Sequence, residues 1–103
     1  MGTRIKVATI GHLASGQGLM VKTKGYQIAV FNVEGQFFAL NNSCTHSGGP
    51  LGKGRLFNGV VTCPWHGAQF DVKTGECLAE PATANVETFP VHVDGNSVFV
   101  DIV

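Results

Sequence analysis

The sequence is poor in charge: only 14% of its 103 residues are Asp, Glu, Lys or Arg, and seven cations balance seven anions to a formal net charge of zero. Nucleic acids and anionic membranes are bound by clustered Lys and Arg that neutralise phosphates, so a chain without a basic excess gives no electrostatic case for either partner. Long hydrophobic runs are missing too. No window approaches the roughly 20 apolar residues of a membrane span, and the start, Met1-Gly2-Thr3-Arg4-Ile5-Lys6, lacks an apolar stretch of signal-peptide length. Lys6 stands where a myristoylation site needs Ser or Thr. A soluble, cytoplasmic protein is therefore expected. There are three Cys, an odd number, which in a reducing compartment argues against a disulfide framework and leaves metal ligation or a free thiol. The length allows one domain, 1–103, with a single modest core, and leaves no room for a separate substrate domain.

Helical periodicity is also absent. Apolar residues alternate or come in short runs, with turn signals every eight to twelve residues, which is an all-β pattern. Strands are expected at Arg4–Thr9, Leu19–Lys24, Tyr26–Val33, Phe37–Asn41, Val60–Cys63, Ala68–Val72, Val86–Val93 and Ser97–Ile102. Glu34-Gly35, Asn58-Gly59 and Asp94-Gly95 fit tight hairpin turns, which need positive φ, and 73–76 fits another turn. So many short strands in about 100 residues suggest a small sandwich or a partly closed barrel.

What the chain has in excess is Gly, 14 residues, about twice the usual share of roughly 7%. Five of them (48, 49, 52, 54 and 59) fall between His46 and Cys63, in a stretch from Asn41 to Trp65 that does not behave as sheet. Loop chemistry of that density in a small domain points to function, because Gly lets backbone approach a bound group closely. The same stretch carries Cys44-Thr45-His46, then sixteen residues, then Cys63-Pro64-Trp65-His66. Each loop offers one thiolate and one imidazole. A zinc finger places two Cys on one loop and two His on a helix, and no helix is predicted here, so a two-iron cluster suits the pairing better than a single tetrahedral zinc.

Cys44-Thr45-His46 with Cys63-Pro64-Trp65-His66-Gly67 resembles the Rieske [2Fe–2S] family, whose two cluster loops read CxH and CPxHG with this separation. The resemblance covers essentially the whole chain, including Glu80-Pro81-Ala82, which looks like the family's third loop beside the cluster. It implies an antiparallel β-barrel or sandwich with a small cluster-binding lobe inserted at about 42–75. It also implies one [2Fe–2S] cluster per subunit, held by Cys44 and Cys63 on the inner iron and by His46 and His66 on the outer one, with the imidazoles at the surface as the electron's exit. High-potential members carry an extra Cys in each loop and a Ser and a Tyr that donate hydrogen bonds to the sulfurs; here those positions hold Gly49, Trp65, Ala68 and Phe70. Fewer hydrogen bonds to sulfur disfavour the reduced cluster, so the potential is expected low in the Rieske range, about −150 mV rather than +300 mV.

The low-potential subgroup contains the ferredoxins of multicomponent oxygenases. The function implied is one-electron transfer from an NAD(P)H-dependent flavoprotein reductase to a terminal oxygenase of the aromatic-ring-hydroxylating type, by a monomer docking around His46 and His66. No catalytic residue is assigned: a terminal oxygenase needs a mononuclear iron site of two His and a carboxylate, and only His12 and His92 remain, far apart. One alternative is the small subunit of an NADH-dependent nitrite reductase; another, of a different class, is a zinc-stabilised interaction module. Of the remaining residues, Cys77 fits a small apolar role, His12 and His92 fit exposed positions, and Gly67 fits relief of crowding behind the second loop. Trp65 fits either the core or an apolar rim with Pro50, Leu51 and Pro81 around the His ligands.

Overall fold

The computed structural model describes residues 3–43, 49–65, 67–79 and 84–102. Eleven strands occur among them: β1 (Thr3–Thr9), β2 (Gly18–Thr23), β3 (Tyr26–Val33), β4 (Gln36–Asn41), β5 (Arg55–Phe57), β6 (Val60–Thr62), β7 (Gln69–Asp71), β8 (Cys77–Ala79), β9 (Thr88–Phe89), β10 (Val91–Asp94) and β11 (Ser97–Ile102). The only helices described are two 3₁₀ turns, Ile10–His12 and Leu51–Lys53. Among the described residues no helix is long and apolar enough to cross a membrane.

The strands form three antiparallel sheets, β1-β11-β10, β2-β3-β4-β9 and β5-β6-β7-β8. β4 and β9 are neighbours in the second sheet although the whole third sheet lies between them in sequence. The third sheet is thus an insertion, and the expected all-β barrel or sandwich with an inserted lobe is what the chain folds into. The lobe's sheet runs to Ala79, four residues past the expected bound at 75.

β3 holds the layers together. Residues 28–31 are each 0% exposed, and they alternate between two cores, because successive strand side chains point to opposite faces. Ile28 and Val30 pack with Val98, Val100 and Ile102 of β11, whereas Ala29 and Phe31 pack with Val61, Phe70 and Val72 of the lobe. A strand covered on both sides reads as a continuous apolar run, which Ile28-Ala29-Val30-Phe31 is.

Local chemistry sets the turns. Glu34-Gly35 and Asn58-Gly59 both have positive φ at the two central positions, the geometry of a tight hairpin that follows the sheet twist. The β2–β3 hairpin does the same with Lys24 (φ 48) and Gly25 (φ 82), a turn missed in the sequence because Lys is not a turn former. The final hairpin turns on Gly95-Asn96 instead of Asp94-Gly95, for Asp94 still pairs with Ser97. The expected strand Val86–Val93 is two: Pro90 cannot donate to a ladder, and the chain crosses there from β9, paired with β4, to β10, paired with β11. β5 and β8 were not expected. Each has three residues, too few for alternation to show.

Candidate metal centre

The expected ligands are reached from two loop bases, and both bases are described. Ser43 and Pro50 form an isolated antiparallel bridge, so the chain leaves and returns at one point around residues 44–48. Asn41 Oδ1 accepts from the Ser43 N–H at 3.0 Å, and the buried Asn42 ties the base to the lobe: its carbonyl accepts from Leu51 N–H at 2.8 Å and its Oδ1 from Gly52 N–H at 2.7 Å. The second loop leaves β6 at Cys63, whose N–H donates to Ala68 O at 2.7 Å and whose carbonyl accepts from Gly67 N–H at 3.1 Å. Two hydrogen bonds thus close a six-residue loop that carries Pro64 and Trp65 at the surface.

Of the four expected ligands, Cys63 lies within the described residues; Cys44, His46 and His66 lie outside them, as does the expected third loop at 80–82. Cys63 forms no disulfide among the described residues and is 2% exposed. A Cβ added at Gly49 would sit 2.7 Å from its Sγ, and 3.1 and 3.2 Å from Cγ and Cδ2 of Trp65. The residue that follows the 44–48 segment therefore presses directly on the second loop, with no room for a side chain. This close approach is what a donor set split between two loops requires, and the soft thiolate of Cys63 suits iron–sulfur ligation. The described residues fit a [2Fe–2S] cluster. Among the described residues no three His, Cys, Asp or Glu side chains group to hold a metal ion.

Other expectations change here. Gly67 relieves no crowding among the described residues: none of them lies within 4 Å of a Cβ built on it, and its need is conformational, φ +79. The glycine in contact with Cys63 is Gly49, which the sequence marked only as standing, like Trp65, where high-potential members carry an extra loop Cys. Trp65 is 58% exposed and not in the core, whereas Leu51 is 0% exposed and belongs to the lobe core. Pro50 is half-buried. Ala68 and Phe70 are fully buried apolar side chains and cannot donate a hydrogen bond toward Cys63. Cys77 packs half-buried against the lobe core, its thiol 3.7 Å from Ala79 O. His12 and His92 are exposed, and His92 Nε2 lies 2.8 Å from Asp101 Oδ2.

A three-sheet antiparallel fold with an inserted lobe, in which a buried thiol faces a side-chain-free backbone, fits an iron–sulfur protein of the Rieske type. The family model for the Rieske [2Fe-2S] domain matches residues 3–90, and the chain belongs to that family. The cofactor of such a domain is a [2Fe–2S] cluster. Among known proteins, the chain is 39% identical over 100 residues to the 3-phenylpropionate/cinnamic acid dioxygenase ferredoxin subunit of Escherichia coli (strain K12), covering 96% of this chain and 93% of the relative. The ferredoxin of carbazole 1,9a-dioxygenase from Nocardioides aromaticivorans IC177 superposes with a TM-score of 0.91 at 30% identity, over 95% of this chain and 96% of that one. A chain in a complex of reduced oxygenase and oxidised ferredoxin of carbazole 1,9a-dioxygenase gives 0.90 at 34% identity, over 94% and 91%. The fold is shared as well, at 24% identity, with a Mycobacterium tuberculosis protein described as a small subunit of an NADH-dependent nitrite reductase, a likeness of fold alone.

Proposed function

We propose that this chain, as one domain over 1–103, is a soluble cytoplasmic monomer that carries single electrons from an NAD(P)H-dependent flavoprotein reductase to a terminal oxygenase. Cys44 and Cys63 hold the inner iron, His46 and His66 the outer one. The observation that carries this reading is the contact between Gly49 and Cys63 Sγ, at a distance that excludes even a methyl group, in a member of the Rieske family. Its resemblance, over nearly their whole length, to proteins described as ferredoxins of dioxygenases supports the oxygenase as acceptor.

When bound, the cluster supplies one-electron chemistry. The chain's part is to bury the Cys63 sulfur from water, to keep Gly49 bare so that the loops close, and to leave Trp65 exposed beside them for a transient contact. No side chain at Ala68 or Phe70 stabilises a reduced cluster by hydrogen bonding, which favours a potential near the low end of the Rieske range, about −150 mV.

The test is direct. Purified protein should contain two irons and two sulfides and show, once reduced, a low-average-g electron paramagnetic resonance signal; Cys63→Ala or His66→Ala should lose it, and Cys77→Ala and His92→Ala should keep it. Mixed with an oxygenase and a flavoprotein reductase, the wild type should support NAD(P)H-dependent product formation. Stoichiometric zinc in a colourless protein would sink the cluster reading, and stable co-purification with a large sirohaem subunit would replace the oxygenase with a nitrite reductase.

A further inference from the structure

Some described charges are paired and others are not. On the three-stranded sheet Asp101 is held between Arg4 Nε (2.9 Å) and His92 Nε2 (2.8 Å). On the lobe, Lys53 ends the second 3₁₀ turn and Arg55 begins β5; both are exposed, and neither forms an ion pair among the described residues. Both line one open cleft of about 1270 Å³. Its walls are residues 16–18 on one side and β5, an edge strand, on the other, and it reaches Cys63, Pro64 and Gly67 of the second cluster loop. No acidic residue lines it among those described. Alternate strand residues share a face, so Phe57 stands beside Arg55 while Leu56 between them turns into the lobe core. Phe57 is 73% exposed, the most exposed large apolar side chain described.

We propose that this cleft docks an acidic segment of a redox partner protein, seated by Lys53 and Arg55 and anchored on Phe57, next to the loop that carries Cys63. The inference deepens the electron-carrier reading and rests on it. Two cations that form no ion pair among the described residues create a local positive field in the cleft, which attracts a carboxylate-bearing surface without giving the whole molecule a basic excess. Arg and exposed aromatic side chains, Phe included, are enriched at protein interfaces. Exposed charge pairs are individually weak, which suits a complex that must part after one electron. A second copy using the same cleft would set cation against cation. Nucleic acid would need several phosphate contacts, where this cleft offers two cations.

The experiment uses the oxidised ¹⁵N-labelled holoprotein, titrated at low salt with a hexaglutamate peptide and, separately, with hexalysine. Hexaglutamate should move the amide signals of Gln17, Gly18, Leu56 and Phe57, hexalysine should not, and about 0.3 M NaCl should reverse the effect, because the Debye length then falls below about 6 Å. The pair Lys53→Glu and Arg55→Glu together should weaken the peptide about tenfold or more with the visible spectrum intact, and Lys53→Arg should keep it. If the double charge reversal fails to fold, Lys53→Gln with Arg55→Gln serves, with the same direction expected. Shifts confined to other residues, equal shifts with hexalysine, unchanged affinity in the double variant, or tighter binding of a DNA oligonucleotide than of the peptide would each overturn the proposal. Neither reductase nor oxygenase enters this titration. Failure of product formation with them therefore faults the carrier reading, and failure here faults the cleft.

Discussion

Cys63 and Gly49 show how much one atom decides. The thiol is buried, and the backbone of the other loop reaches it only because residue 49 has no Cβ. Gly49→Ala should therefore part the loops: we expect iron content and visible absorbance to fall, and the stability to denaturant to drop by about 1–3 kcal/mol as for other overpacked sites. Gly67→Ala should strain only its φ +79 backbone and keep more of the cluster, measured the same way. Asp101 gives a pH prediction at the same scale. The hydrogen bond from Arg4 holds its carboxyl below the ordinary value of 3.8, and that from His92 acts in the same direction. Since the folded carboxyl is the more acidic, the native state gains stability above the unfolded value and loses it as pH falls through the lower folded one. Thermal melts across the acid range should show this loss in the wild type. In Asp101→Asn the slope should be smaller, with the spectrum at neutral pH unchanged.

Among the elements, the junction of β4 with the lobe has the most specific chemistry. Asn42 is 2% exposed, yet all its described polar contacts are inside: its N–H donates to Gln27 O, its carbonyl accepts from Leu51 and its Oδ1 from Gly52. Asn42→Ala would leave the buried Gly52 N–H without its acceptor, and unfolding by denaturant should show a loss of about 1–3 kcal/mol. The reason Asn42 escapes notice in the sequence is that Asn in Asn41-Asn42-Ser43 reads as ordinary loop polarity; only the return of the chain to Gly52 reveals the bond. Long elements were plain in the sequence. Tyr26–Val33 and Ser97–Ile102 match their expected bounds to the residue, since each has enough alternation or apolar length to specify itself. β5 and β8 were not, because a three-residue strand exists only through its neighbour: Leu56 opposite Val61, and Cys77 opposite Phe70.

At the scale of the molecule, two cores share one sheet, and the cluster lobe stands on the outer one. Phe31 is the joint, fully buried against the lobe while its ring lies over Gly18. Phe31→Ala should cost about 3–5 kcal/mol in chemical unfolding, the range for a large aromatic lost from a packed core. Because Phe31 and Cys63 belong to the same buried cluster, the variant should also release iron at lower denaturant than the wild type.

The sequence by itself determined the class of fold and the chemistry. Strand periodicity, the hairpin dipeptides and two loops that each carry a thiolate and an imidazole are local patterns, set by residues close together in the chain. Tertiary structure alone decided that the place beside Cys63 Sγ leaves Gly49 no room for a Cβ, that Leu51 is core while Trp65 is exposed, where Pro90 passes the chain between sheets, and that Lys53, Arg55 and Phe57 line one cleft with residues 16–18. Each of those facts joins residues far apart in sequence. Distance along the chain leaves no periodic trace, and such contacts exist only after the layers have packed.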